Sequence, residues 1–221
     1  MQRIIRIGGP VMKKTIAFCV AGFLIGTAAA RGGVNLLEVH GGYWDPKGIA
    51  SGFIFGGNYG IAVDERVDIS LGLSYFYRNY RKDTEVAGED YQSGVNETTV
   101  MTELEYNTTL IPITANATIR FPFGRPLYWF AGGSVAYQFL FNTENNYQEG
   151  IKERRFYSGF GWMVRGGIEY AIGSRSSIIL EAFYNRCKVK GNKDKVDGLP
   201  VWNEVDVSGL GFRAGLKLEF F

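Results

Sequence analysis

From position 210 onward the chain alternates without a break. Leu210, Phe212, Ala214, Leu216, Leu218 and Phe220 fall on one face of an extended segment, and Gly211, Arg213, Gly215, Lys217 and Glu219 on the other. A period of two predicts a β-strand. The same pattern recurs upstream. Residues 35–43 set Leu37, Val39, Gly41 and Tyr43 against Glu38 and His40, and residues 50–63 mark one face with Phe53, Phe55, Tyr59 and Ile61. Residues 67–80 alternate most clearly, with Val67, Ile69, Leu71, Leu73, Tyr75 and Tyr77 opposite Asp68, Ser70, Gly72, Ser74 and Arg78. Strands are likewise predicted over 127–141, 154–171 and 177–189. In the first, Trp129, Val135, Tyr137 and Phe139 share a face; in the second, Phe160, Trp162 and Val164 oppose Arg165 and Glu169; in the third, Ile178, Leu180 and Tyr184 oppose Glu181.

The strand expected over 102–121 changes phase. Leu104 and Tyr106 are even-numbered, whereas Ile111, Ile113, Ala115 and Ile119 are odd. A slip beside Pro112, which cannot donate to a ladder, predicts a β-bulge near Thr109. The connections fall into two kinds. Those near residues 64, 124 and 174 are short, and those over 81–101, 142–153 and 190–204 are long and polar. The turn Asp45-Pro46-Lys47-Gly48 is the exception, being short on the long side; Pro and Gly occupy the positions a tight turn favours.

These strands exceed the usual five or six residues of soluble proteins. Their second face carries charge, where a soluble sheet would place its water-facing side. A membrane barrel reverses that order, with apolar residues on lipid and polar ones in the lumen. The aromatic residues sit near the strand ends: Tyr75, Tyr77, Phe139, Phe141, Phe156 and Tyr184 at one end, Trp129, Tyr170 and Phe221 at the other. That arrangement predicts two interfacial girdles. The expected fold is all-β: an eight-stranded antiparallel up-and-down transmembrane β-barrel with short periplasmic turns and long outer loops. A soluble lipocalin-like fold or a porin fragment would not explain the long strands and the aromatic last strand together.

Composition agrees. The chain is 15% aromatic with 30 Gly, yet its mean hydropathy is −0.07. Helical spans of about 20 apolar residues are thereby excluded. Before the strands, Lys13 and Lys14 form a basic segment, residues 15–26 an apolar one, and Ala28-Ala29-Ala30 a small-residue cleavage site. We therefore expect a signal peptide over 1–30, cleaved after Ala30, with Met12 as the true start and residues 31–221 as one barrel domain. The apolar run is too short for a membrane anchor, and Cys19 lies inside it, which argues against a lipoprotein. Removing 1–30 takes Arg3, Arg6, Lys13 and Lys14 and no acid, so the net charge moves from +2 to −2. No basic patch points to nucleic acid. One cysteine, Cys187, remains, so no internal disulfide is expected.

The leader, the Gly-Gly-Tyr-Trp-Asp-Pro opening, the Ile-Pro-Ile-Thr-Ala-Asn stretch at 111–116 and the closing aromatic strand are shared features. On them residues 31–221 resemble the small OmpA/OmpX-type bacterial outer-membrane β-barrel proteins. The resemblance implies residence in the outer membrane of a Gram-negative cell, contact with outer-membrane lipid and lipopolysaccharide, and an assembly signal at Leu216, Leu218, Phe220 and Phe221. It does not extend to a peptidoglycan-binding domain.

The charges on the inward phase are the candidate site. Glu38, Asp68, Glu169, Glu181 and Glu219 face Arg120, Arg165, Arg213 and Lys217 across a lumen that side chains should fill. Glu38, Glu181, Arg165 and Arg213 are expected at one depth. The expected role is a structural ion-pair plug, because charges within low-dielectric walls must be paired; a gated small-solute pore is the alternative. His40, the single histidine, shares this phase without a clear serine partner, so a lumen hydrogen bond is expected of it rather than lipid A-modifying catalysis. No metal cluster, phosphate loop or nucleophile elbow is legible, and no cofactor is expected. The sequons at Asn96, Asn107 and Asn116 carry no weight in a bacterial barrel. The remaining expectation is a non-catalytic, structural or surface-binding role through the loops 81–101, 142–153 and 190–204, with a host or cell-surface ligand that the sequence does not name.

Overall fold

The computed structural model describes residues 34–86, 99–146, 151–196 and 199–220. The expected leader, its cleavage site and Phe221 lie outside the described residues. Nine strands run in chain order: β1 Val34–Pro46, β2 Gly52–Asp64, β3 Val67–Val86, β4 Thr99–Gly124, β5 Leu127–Asn146, β6 Ile151–Ala171, β7 Ser176–Val196, β8 Leu199–Asp206 and β9 Gly209–Phe220. Each pairs antiparallel with its neighbour, and β9 returns to pair with β1, from Asn35 opposite Phe220 to Pro46 opposite Gly209. β8 and β9 are two halves of one stave. Both lie on β7 in the same register, Lys188 opposite Asp206 and Asn185 opposite Gly209. The barrel is therefore closed and eight-stranded.

The break in that last stave has a local cause. Val207 still donates to the Cys187 carbonyl at 3.0 Å, but the Cys187 amide turns to the Ser208 hydroxyl at 3.1 Å. The Val207 carbonyl accepts instead from the Asn185 side chain at 2.9 Å. Two side chains thus take the place of one backbone bond at the break. The tight turn after β1 docks on the same place, Lys47 and Gly48 donating to the Ser208 and Asp206 carbonyls at 2.8 and 2.7 Å.

Two expectations are corrected. No bulge lies near Thr109: Thr109 pairs with Tyr77 on one side and Phe141 on the other, and β4 keeps phase from Leu104 to Pro122 against β5. Pro112 interrupts the β3–β4 pairing at Ser74 and Tyr75 without shifting it. The even-numbered Tyr106 and Leu110 point inward, and the shift falls higher, between Lys82 and Asp83. The described parts of 81–101, 142–153 and 190–204 are also strand rather than loop. β3 to β7 run for 20, 26, 20, 21 and 21 residues, about twice the 9–11 that cross a bilayer. Above the membrane both faces of a hairpin are wet, so the apolar alternation that marks a strand disappears while the backbone ladder continues. Only 87–98, 147–150 and 197–198 of these stretches lie outside the described residues.

Burial runs opposite to that of a soluble sheet. Phe212 is 66% exposed while Arg213, its neighbour in β9, is 7% exposed. Val39, Phe55, Leu73 and Leu216 likewise face outward, and Glu38, Asp68 and Lys217 face in. The outer surface is an apolar belt edged by aromatic contacts, Phe141 on Phe156 and Trp162 near Tyr184 at one rim, Tyr59 near Phe220 and Phe123 on Trp129 at the other. Such a belt suits hydrocarbon, not water.

Candidate functional site: the lumen

Alternation delivers every second side chain of every stave to one axis, and there the polar residues pair across the barrel. At the end of the short turns Arg120 of β4 donates to Asp68 of β3 at 2.9 Å and to Glu219 of β9 at 3.1 Å. Lys217 of β9 reaches Asp68 at 2.7 Å and Glu169 of β6 at 3.5 Å. One level up, Arg213 grips Glu181 of β7 side-on through Nε and Nη2. Arg165 lies between Glu181 at 3.3 Å and Glu38 at 3.6 Å, and its Nη2 donates to Thr118 Oγ1 at 2.6 Å. Glu38, Glu181, Arg165 and Arg213 therefore share one depth. Some of these contacts join adjacent staves, such as Arg213 to Glu181 and Arg120 to Asp68; others join staves that are not neighbours, β9 to β3 and β6 to β4, and so span the lumen.

His40 sits within this network. Its Nδ1 lies 3.1 Å from Glu38 Oε1, and its Nε2 lies 3.2 Å from Arg213 Nη1. A guanidinium has only donors, so Nε2 accepts and the neutral ring carries its hydrogen on Nδ1, donating to Glu38. A serine partner that sequence spacing does not disclose is also present: Ser74 Oγ is 3.4 Å from Nε2. Glu38, His40 and Ser74 thus lie in a row. Arg213 competes for the same nitrogen, and all three side chains are buried.

Neutral residues of the same phase fill the space between the charges. Asn116 donates to Asn58 and Ser70 at 3.3 Å each and accepts from Ser134 at 2.6 Å, while Asn58 donates to Glu38 at 2.9 Å. Sequence reading centred on charge passes over them, although each shares its strand's inward parity. Above the ions the interior changes character. Trp44, Ile54, Phe76, Leu110, Leu140 and Phe183 come from six different staves and are all but fully buried. Arg213 marks the boundary, its guanidinium 4.4 Å from the Phe183 ring centre. Among the described residues no group of His, Cys, Asp and Glu is arranged to hold a metal. Cys187 is a buried thiol in the same apolar layer.

Of the residues expected to guide assembly, Leu216, Leu218 and Phe220 all face outward. Outward on β7 above Tyr184 stand Arg186, Lys188 and Lys190, with Lys188 paired to Glu204 at 2.8 Å.

No protein-family model and no curated protein matches the chain. Solved structures do. Neisserial surface protein A is 14% identical, covers 85% of this chain and 97% of its own, and superposes with a TM-score of 0.53. The outer membrane protein OprG from Pseudomonas aeruginosa is 13% identical, with 86% and 96% covered and a TM-score of 0.55. At such identity the likeness establishes the fold. It is that of the small outer-membrane β-barrels, and the apolar belt and polar axis agree with it.

Proposed function

We propose that this chain is an integral protein of the bacterial outer membrane that neither conducts nor catalyses, and that acts as a structural and surface-binding element through its outer end. The observation that carries the reading is the filling of the lumen. Between the two ion clusters the free space is a cavity of about 20 Å³, bounded by Asn58, Thr118, Arg165 and Lys217 among others. That is room for about one water and no solute path. The layer of Trp44, Phe76 and Phe183 stands directly above. The long hairpins around 81–101, 142–153 and 190–204 carry strand well past the membrane and offer surface for a host or cell-surface ligand. Arg186, Lys188 and Lys190, outward-facing on β7 just above an aromatic girdle, are the cations that would meet the phosphates of lipopolysaccharide in this reading. Leu216, Leu218, Phe220 and Phe221 are the proposed signal to the assembly machinery.

Planar bilayers test the sealed lumen. The wild-type barrel and its Arg213→Ala and Glu181→Ala variants should remain silent while the variants lose stability; steady conductance that these variants alter would replace the plug with a pore. Trypsin on intact cells tests the placement. Cuts at Lys82, Lys152, Arg154 or Lys190 with Arg66, Arg125 and Arg175 spared are expected, and cuts at Arg66 or Arg175 would invert the topology.

A further inference from the structure

The outer mouth of the barrel is a cup, and the geometry points to a binding site there for a small organic anion with a short apolar body. The inference rests on the sealed lumen, which gives the cup its floor. The cup has a volume of about 290 Å³, at the small end of the roughly 300–1,000 Å³ of ligand pockets. Leu140 and Tyr157, which belong to the buried apolar layer, form its base together with Ile49 and Val205. Tyr80 and Tyr106 stand on the wall with ring centres 6.4 Å apart.

The cation in this cup is Arg78. It lies on the inward phase of β3 opposite Thr108, one position beyond the girdle residue Tyr77. Arg120, Arg155, Arg165 and Arg213, the other arginines of the inward phase, each hold a carboxylate. Arg78 has no hydrogen-bond or ion-pair partner among the described residues, whereas several polar groups near it are engaged with one another. Glu144 accepts from Tyr106 at 3.1 Å and pairs with Arg155 at 3.5 Å. Thr108 donates to Asn142 at 3.0 Å. The cup therefore presents one uncommitted guanidinium above an apolar floor. A planar fork of donors suits a carboxylate held by two parallel hydrogen bonds, and the floor and tyrosines suit a compact ring or short chain.

The test uses the full barrel in lipid nanodiscs and three matched probes: 1-naphthoate, 1-naphthylmethanol and 1-naphthylmethylammonium. Naphthoate should shift the ring signals of Tyr80 and Tyr106 saturably, with the alcohol at least tenfold weaker and the ammonium without saturation. Arg78→Gln should weaken naphthoate at least tenfold, Arg78→Lys should restore part of the loss, and Lys188→Gln on the outer face should change nothing. Ala50→Trp, which fills the cup while leaving Arg78 in place, should abolish the shifts. Equal binding of all three probes would mean partition into lipid, and unchanged naphthoate affinity in Arg78→Gln would remove the arginine; either result overturns the site. Conductance measured on the same preparations separates the two readings. A silent barrel that fails to bind rejects the cup alone, and a conducting barrel that binds rejects the seal alone.

Discussion

The lower and upper halves of the lumen solve one problem by opposite chemistry. Below, Asp68, Arg120, Glu169, Lys217 and Glu219, then Glu38, Arg165, Glu181 and Arg213, fill the axis with charge. Above, Trp44, Phe76, Leu110, Leu140 and Phe183 fill it with rings and methyl groups. Both halves fill the lumen, yet they specify the structure differently. Each ion pair costs desolvation and is favourable only in one geometry, so the lower half fixes which stave faces which across the barrel. The upper half packs without direction and contributes dispersion and burial. Each half also carries buried polar atoms without a protein partner, Trp44 Nε1 and Gln138 Oε1 above and Arg120 Nε and Arg165 Nε below.

The largest expected break of this contrast is Glu181→Ala. It strips the carboxylate shared by Arg213 and Arg165 and leaves two buried guanidinium groups, a loss of about 3–5 kcal/mol. Urea unfolding from vesicles, followed by tryptophan fluorescence, measures it. Adding Arg213→Met should recover part of the loss if paired charge is the cause, and no recovery would mean that Glu181 acts by volume. In the upper half Phe183→Ala should cost about 3 kcal/mol by opening a cavity beside Trp44. Trp44→Phe should cost much less than Trp44→Ala, because the indole N–H it removes makes no bond. The same unfolding assay ranks the three.

Next comes Gly211→Ala. A methyl group there would meet the Phe183 ring at 2.3 Å and the Tyr43 carbonyl at 2.9 Å, so overpacking of about 1–3 kcal/mol is expected. A neutral result would show that the upper layer repacks freely. The smallest effect belongs to the exposed pair outside the membrane. The hydrogen bond from Lys188 holds the Glu204 carboxyl below its usual range. A depressed carboxylate contributes fully above its ordinary value of 4.5 and loses that contribution as pH falls through the lowered one. A carboxyl-carbon titration should therefore move upward toward 4.5 in Lys188→Gln, while thermal stability near neutrality scarcely changes, as for other surface pairs.

The contrast between the halves also measures what could be read in advance. The inward parity of Glu38, Asp68, Glu181 and Arg213 was legible because a strand leaves only two sides, and four residues could even be set at one depth by counting from the short turns. The upper layer was not legible. Phe76 stands between Tyr75 and Tyr77, and Trp44 follows Tyr43, so apolar residues occupy both phases and the alternation vanishes where the interior turns apolar. Tyr106, an apolar ring on the inward phase, contributed to the apparent phase slip for the same reason. Ser74 beside His40, and Arg78 left without a carboxylate, depend on distances between staves that local pattern does not contain.

The sequence by itself determined the strands, their inside-out polarity and the residues that line the axis, because side-chain direction in a strand is a local property with a period of two. Only the tertiary structure decided which acid meets which base, where charge gives way to the apolar layer, and that a cup remains at the mouth whose arginine has no carboxylate among the described residues. Those outcomes depend on how far each stave is offset from the next when the sheet closes, and that offset is fixed by the whole ring of pairings at once.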